Sequence, residues 1–292
     1  MASLIGCAVF SIGVTVSIIF LLLSESSAFF LREEVTLIKF ITGTKWTPLL
    51  GSEQHYGVLP LVGGTLLVTG IAACTALPMG LVSAIYLSEY AHRRVRAVAK
   101  PTLEVLAGVP TVVYGYFALT VITPAINGVW TWLGFEEGFG TYNALSAGIA
   151  VGIMCIPTVS SLSEDALRAV PRSLRHGAYA AGATRFDVSV KVVVPAALSG
   201  IMAAFLLAIA RAVGETMIVT LAAGQSAVLT LDPRDSIQTL TAYIVQISTG
   251  DVQAGGIEYQ SIYAVAATLF VMTMVITIIG SRIRARFREE YA

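Results

Sequence analysis

The run LVGGTLLVTGIAACTALPMGLVSAIYL, residues 61–87, contains no charged side chain. It is longer than the roughly 20 apolar residues that a helix needs to cross a hydrocarbon layer. Five further runs meet the same requirement: Leu4–Leu23, Leu103–Ile122, Leu145–Leu162, Ala197–Leu221 and Ile262–Ile279. None holds a sustained period of two, which argues against a membrane barrel. The whole chain agrees with this reading. Of its 292 residues 56% are apolar and 12% charged, with a mean hydropathy of +0.80, whereas ordinary globular domains carry about 25% charged residues. The expected fold is all-α and integral to the membrane, with six transmembrane helices. The first run precedes every Lys and Arg of the chain and lacks a clear small-residue cleavage site, so it reads as a retained span.

Charge sets the expected orientation. One set of loops holds Arg93, Arg94, Arg96, Lys100, Arg168, Arg172, Arg175, Arg185, Lys191, Arg282, Arg284, Arg286 and Arg288. The opposite set holds only Arg32, Lys39, Lys45 and Arg234, against ten acids. Basic loops remain in the cytoplasm, which places both termini inside. The acidic outer face has no long-range attraction for an anion, so an anionic cargo would need a delivering partner. Two outer segments exceed simple connectors. Ser24–Pro60, with Trp46, Pro48, His55 and Tyr56, reads as a packed interfacial loop. Gly224–Gln260 carries Ile237, Leu240, Thr241, Ile244 and Ile247 at helical spacing, as expected of a short helix on or dipping into the outer surface.

Several chemistries are excluded. Eighteen basic residues cancel eighteen acidic ones, so no field marks a nucleic-acid binder. Cys7, Cys74 and Cys155 lie in apolar runs and form neither a disulfide framework nor a CxxC site; as buried thiols they would be inert. There is no phosphate-binding P-loop, zinc helix or nucleophile elbow. His55, His92 and His176 fall in three different loops on two sides of the membrane, too dispersed for one metal site.

The cytoplasmic segment EDALRAVPRSLRHGAYAAGATRFDVSVKVVVP, residues 164–195, is too long for a simple reversal. Pro171 can open a helix, Arg172–Tyr179 continues it, and Gly182 suits the left-handed turn that ends one. Arg185–Val194 then leads to Pro195 at the mouth of the fifth span. This helix–Gly–helix element resembles the loop of bacterial ABC-importer permeases, patterned as EAA, three residues, Gly, nine residues, then I-x-L-P. His176-Gly177-Ala178, Gly182, Val192, Val194 and Pro195 match its spacing. His176 stands where that family commonly has Glu, and Gly177 where it has Ala. The resemblance implies that this loop, Arg185 included, docks into a groove of a separate ATPase subunit.

The stretches TGTKWTP (42–48), GVLPLVGGTLLV (57–68), AIYLSEYA (84–91), KPTLEVLAGVPTVVYGYFALT (100–120) and ARAVGETMIVTLAAG (210–224) narrow the resemblance to phosphate-specific importer permeases, of the PstC type rather than its PstA-type partner. It implies a single permease domain over 1–292 in the bacterial inner membrane, within lipid. The implied assembly adds a PstA-type second permease, two PstB-type ATPase subunits and an external PstS-type phosphate-binding protein. ATP and Mg would belong to the ATPase subunits; no cofactor and no catalysis are expected of this chain.

Arg211 and Glu215 interrupt the fifth span. Charges at membrane depth are costly, about 2.5–3.5 kcal/mol each on insertion scales, and mark function by default. On one continuous helix they would share a face, with Arg211 about 21 Å from Ala197. Guanidinium offers phosphate a planar fork of donors, and the resemblance associates the pair with phosphate passage. An internal ion pair locking helix packing is the competing reading. Permeases for sulfate or molybdate and an ion-coupled secondary transporter are the alternative functions.

Overall fold

The computed structural model describes residues 2–33, 35–49, 54–250, 253 and 255–286. Arg288 of the basic set lies outside them. The described residues form fourteen α-helices and no strand. α1 (Ala2–Phe30) and the short α2 (Leu37–Thr42) precede α3 (Leu59–Ile85), which continues through a π-helical turn at Tyr86–Tyr90. α4 (Arg93–Ala107) is separated from α5 (Thr111–Phe117), and a second π turn at Ala118–Ile122 leads into α6 (Thr123–Trp132). α7 (Ala144–Ala169) is followed by α8 (Arg172–Ala180), α9 (Arg185–Asp187), a third π turn at Val188–Val193 and α10 (Val194–Ala196). α11 (Leu198–Val213), α12 (Met217–Ala222), α13 (Leu240–Thr249) and α14 (Ile257–Arg286) complete the order.

Five helical stretches are long and apolar enough to cross a membrane, and a sixth results when the bent pair Arg185–Ala196 and Leu198–Val213 counts as one span. The core lies where α3 and α7 pack through small residues: Ala72 and Ala76 from α3, Ala144, Ala147 and Ala150 from α7, with Ala208 and Ala212 of α11 and Ile218 of α12 closing over them. Small side chains let helix backbones approach closely, the main source of attraction where lipid tails are as apolar as the helices themselves. α1 leaves most of its apolar surface exposed. Cys7 and Cys74 are exposed as well, and only Cys155 is buried. The expectation of three buried thiols fails because a spanning helix turns apolar side chains toward lipid.

Two expected spans change. The third does not run Leu103–Ile122. α4 is a charged amphipathic helix that buries no side chain, and the chain breaks before Pro110, which caps α5. The apolar stretch is Thr111–Trp132. Its extension is made possible by Asn127, whose amide accepts from the Phe139 N–H (2.6 Å) and donates to the Phe139 carbonyl (3.0 Å). The fifth span is not one helix over Ala197–Leu221. It turns by 70° near Ala197 and ends at Val213, before α12 begins at Met217.

Both long segments are built into the bundle. Trp46 and Tyr56 pair in an antiparallel bridge and are buried with Phe29 and Phe40, as a packed loop requires. The helical spacing at 237–247 does form α13, but it lies inside the protein: Leu240 and Tyr243 are fully buried, and the Tyr243 hydroxyl hydrogen-bonds with that of Ser261 (2.6 Å).

Candidate functional site

The 164–195 segment has the expected local form. Pro171 caps α8, and the turn after it is closed by the N–H groups of Gly182, donating to Tyr179 O (3.0 Å), and Ala183, donating to Ala178 O (3.1 Å). Gly182 has φ +83°, a left-handed conformation that costs other residues free energy through the Cβ contact with the backbone. Thr184 then starts α9 by accepting from the Asp187 N–H (3.2 Å). His176, Gly177 and Ala178 sit on α8, with Arg185 at the start of α9 and Pro195 in α10, before the 70° turn.

The geometry adds partners that sequence reading missed. Arg175 binds the Glu89 carboxylate (2.9 Å) and also donates to the carbonyls of Leu167 (2.8 Å) and Val170 (2.6 Å). Arg185 hydrogen-bonds the Glu89 carbonyl, and its guanidinium lies 5.0 Å from the Tyr90 ring centroid. Both arms of the helix–Gly–helix element therefore grip the π turn that ends α3. Two charged groups thus join the element to the end of that helix.

A second node lies beside it. The Glu164 carboxylate is almost fully buried and is held by Arg96 (2.6 Å) and Lys100 (3.0 Å) of α4, with Arg168 at 3.9 Å. Lys100 also pairs with Asp165. These contacts fasten α4 to the end of α7 along a cleft of about 1140 Å³ lined by Arg93, Arg172 and His176. Burial works against the charge on Lys100, but the hydrogen bonds to Asp165 and Glu164 outweigh it and raise its pKa. A raised lysine pKa contributes stability fully below the unfolded value and loses it as pH climbs through the folded value. Glu164→Gln is expected to lower stability by about 1–3 kcal/mol, the cost of leaving charged groups without their partner. Thermal denaturation in detergent, with hydrogen exchange along α4, measures it; unchanged melting and unchanged α4 protection would remove the node's structural role.

In the bundle the predicted pair is taken apart. Arg211 lies in the last turn of α11, and Glu215 in the break before α12. They are not on one helix face, and no ion pair joins them among the described residues. Arg211 is half-buried and its Nη1 donates to Thr158 Oγ1 of α7 (3.2 Å). Glu215 is buried, and its Oε1 accepts from the N–H groups of Met217 (3.1 Å) and Ile218 (3.2 Å). The carboxylate thus satisfies amide donors that α12 leaves open at its start. Thr241 of α13 donates to the Glu215 carbonyl (2.6 Å), tying the break to a buried helix. Glu215 is engaged by backbone, while among the described residues the Arg211 guanidinium has the Thr158 hydroxyl as its hydrogen-bond partner. Thr158, in a polar TVSSLS stretch inside an apolar span, was the one visible signal for this arrangement; Thr241 gave none. No group of three or more His, Cys, Asp or Glu arranged to hold a metal occurs among the described residues.

Five to six apolar spans, a break holding Glu215 and a helix–Gly–helix element have the build of a membrane-embedded subunit. The chain belongs to the family of binding-protein-dependent transport system inner membrane components, whose model matches residues 76–289. It is 37% identical to the probable ABC transporter permease protein YqgH of Bacillus subtilis, over 92% of this chain and 84% of that one. It is 31% identical to the phosphate transport system permease protein PstC of Mesorhizobium japonicum, over 82% and 76%. It is 34% identical to the phosphate transport system permease protein PstA 1 of Mycobacterium tuberculosis, over 78% and 70%. Among solved structures, a chain of a bacterial ABC transporter involved in alginate import superposes with a TM-score of 0.63 over 96% of both chains, at 15% identity. That likeness concerns the fold. The protein is an ABC-transporter permease subunit, a multi-pass membrane component.

Proposed function

We propose that this chain is a permease subunit of an ATP-driven importer of inorganic phosphate, of the PstC type. The observation that carries the reading is Arg211: a half-buried guanidinium inside the bundle, bonded to the Thr158 hydroxyl and in no ion pair among the described residues. An anion crossing a low-dielectric path needs such a charge, and a guanidinium fork fits phosphate oxygens. Glu215, one short break away, limits how tightly the anion is held, since passage needs sites favourable enough to enter and weak enough to leave. The PstC and PstA 1 relatives support phosphate as cargo.

In this reading a PstA-type permease completes the path, two PstB-type ATPase subunits carrying ATP and Mg dock on α8 and the Gly182 turn, and a PstS-type protein delivers phosphate to the acidic outer face. The chain itself holds no cofactor and catalyses no reaction. ATPase motion is passed through Arg175 and Arg185 to Glu89 and so to α3. Radiolabelled phosphate uptake by vesicles containing both permeases, with and without the ATPase subunits and with sulfate or molybdate as competitors, tests the cargo and the class together. ATP-independent uptake, or phosphate uptake abolished by equimolar sulfate or molybdate, would overturn it.

The orientation is part of the proposal. In a cysteine-free background, an impermeant thiol reagent applied from outside is expected to label Lys45→Cys and Arg234→Cys and to spare Arg94→Cys and Arg282→Cys. External labelling of Arg94→Cys reverses the assignment.

A further inference from the structure

Away from α8, two extended stretches of the 24–60 segment cross with their backbones in contact at Gly43 and Gly57. A Cβ on Gly43 would come within 2.6 Å of the Gly57 Cα, so neither position has room for a side chain. The crossing is fixed by N–H donors of Gly43 to Lys39 O (2.8 Å), Gly57 to Lys45 O (2.9 Å), Val58 to Phe40 O (2.8 Å) and Thr47 to His55 O (2.8 Å). Beneath it lies an aromatic floor, with Trp46 packed edge-on to Tyr243 at 5.0 Å and Phe29 to Tyr56 at 5.5 Å. This frame borders an open cavity of about 360 Å³ lined by the exposed side chains of Lys39, Lys45 and His55.

The charge here is unusual for its surroundings. Of the four outer basic residues, Arg32 is bonded to Gln260 and to the Gly255 carbonyl, and Arg234 is paired with Asp232 (2.7 Å). Among the described residues the two lysines of the cavity carry no ion pair, and no carboxylate lines it. Glu258 stands behind Gln54, which donates to it (2.9 Å). Two exposed ammonium groups on the lining of one cavity, neither of them in an ion pair among the described residues, offer positive charge that a shared anion can bridge.

We propose that this cavity is an oxyanion-binding site for a phosphate group, separate from Arg211. Lys39 and Lys45 supply charge as mobile ammonium donors, and His55 supplies a further ring donor. The phosphate belongs either to the free anion or to an anionic lipid headgroup, since the aromatic floor is of the kind that settles at a membrane interface.

The test uses the full-length permease in lipid nanodiscs, with amine acylation of each lysine read by mass spectrometry. One arm adds inorganic phosphate to phosphatidylcholine discs, against sodium chloride at equal ionic strength. The other replaces part of the phosphatidylcholine with phosphatidylglycerol and omits phosphate. Lys39 and Lys45 are expected to be protected several-fold in one of these arms, with the solvent-exposed Lys191 unchanged. Protection in the first identifies the free anion, and in the second the headgroup. Lys39→Gln should remove the protection at Lys45, because both lysines hold one ligand. Arg211→Gln should leave it intact, which keeps the outcome independent of the transport reading. Absence of protection in both arms, equal protection of Lys191, or protection of Lys45 surviving Lys39→Gln would each overturn the site.

Discussion

Phosphate uptake by the assembled importer is expected to fall roughly tenfold to a hundredfold when Arg211 is replaced by glutamine, the equivalent of losing charged hydrogen bonds worth about 1.5–3 kcal/mol in the crossing step. Assembly should survive, because the only protein hydrogen bond of the Arg211 side chain among the described residues is the one to Thr158. Glutamine at 215 retains an oxygen for the Met217 and Ile218 N–H groups, so Glu215→Gln preserves the start of α12 and changes only charge. Glu215→Ala removes the cap as well, at a cost of about 0.5–2 kcal/mol. The double variant Arg211→Gln, Glu215→Gln separates two accounts. A purely structural ion pair predicts recovered uptake once both charges are gone. The separation of the two side chains argues for uptake that stays lost. Parental uptake by the double variant, at normal membrane abundance and ATPase association, would end the proposal that Arg211 passes phosphate.

Gly182→Val is expected to uncouple ATP hydrolysis from transport. A Cβ at Gly182 meets nothing within 4 Å, so crowding is not the issue. The penalty is the backbone itself: left-handed φ costs a side-chain-bearing residue roughly 1–2 kcal/mol, and a β-branched one is a genuine outlier there. Relaxing that strain tilts α8 against α9 and disturbs the paired grip of Arg175 and Arg185 on Glu89. ATPase association should weaken by roughly fivefold to thirtyfold, the equilibrium equivalent of that strain, while the spans insert normally. Co-purification of ATPase subunits with the variant, together with uptake per ATP hydrolysed, measures both effects. Undiminished association with undiminished coupling would reduce the element to a connector.

The resemblance in 164–195 was legible because its signals are local. Pro171 opening α8, Gly182 reversing it and Pro195 before the bend each act through their own φ angle or missing donor, so their effect travels with the residue. Glu89, by contrast, was an unassigned acid in AIYLSEYA. Its partners Arg175 and Arg185 lie far along the chain, and no spacing rule connects them.

Apolar run length by itself indicated the five to six spans, because insertion into lipid depends on composition summed over about 20 residues. Where those spans break is another matter. The third shifted to Thr111–Trp132, since Asn127 is satisfied by the distant Phe139 backbone. The fifth parted between Arg211 and Glu215, since Glu215 caps α12 and Thr241 holds its carbonyl. On an isolated chain the i,i+4 spacing of that pair favours one helix face, because nothing else competes for the carboxylate. Only the tertiary structure decided otherwise: in a bundle without water, every open amide of a helix break must find a partner within the protein, and those partners come from residues the local sequence cannot see.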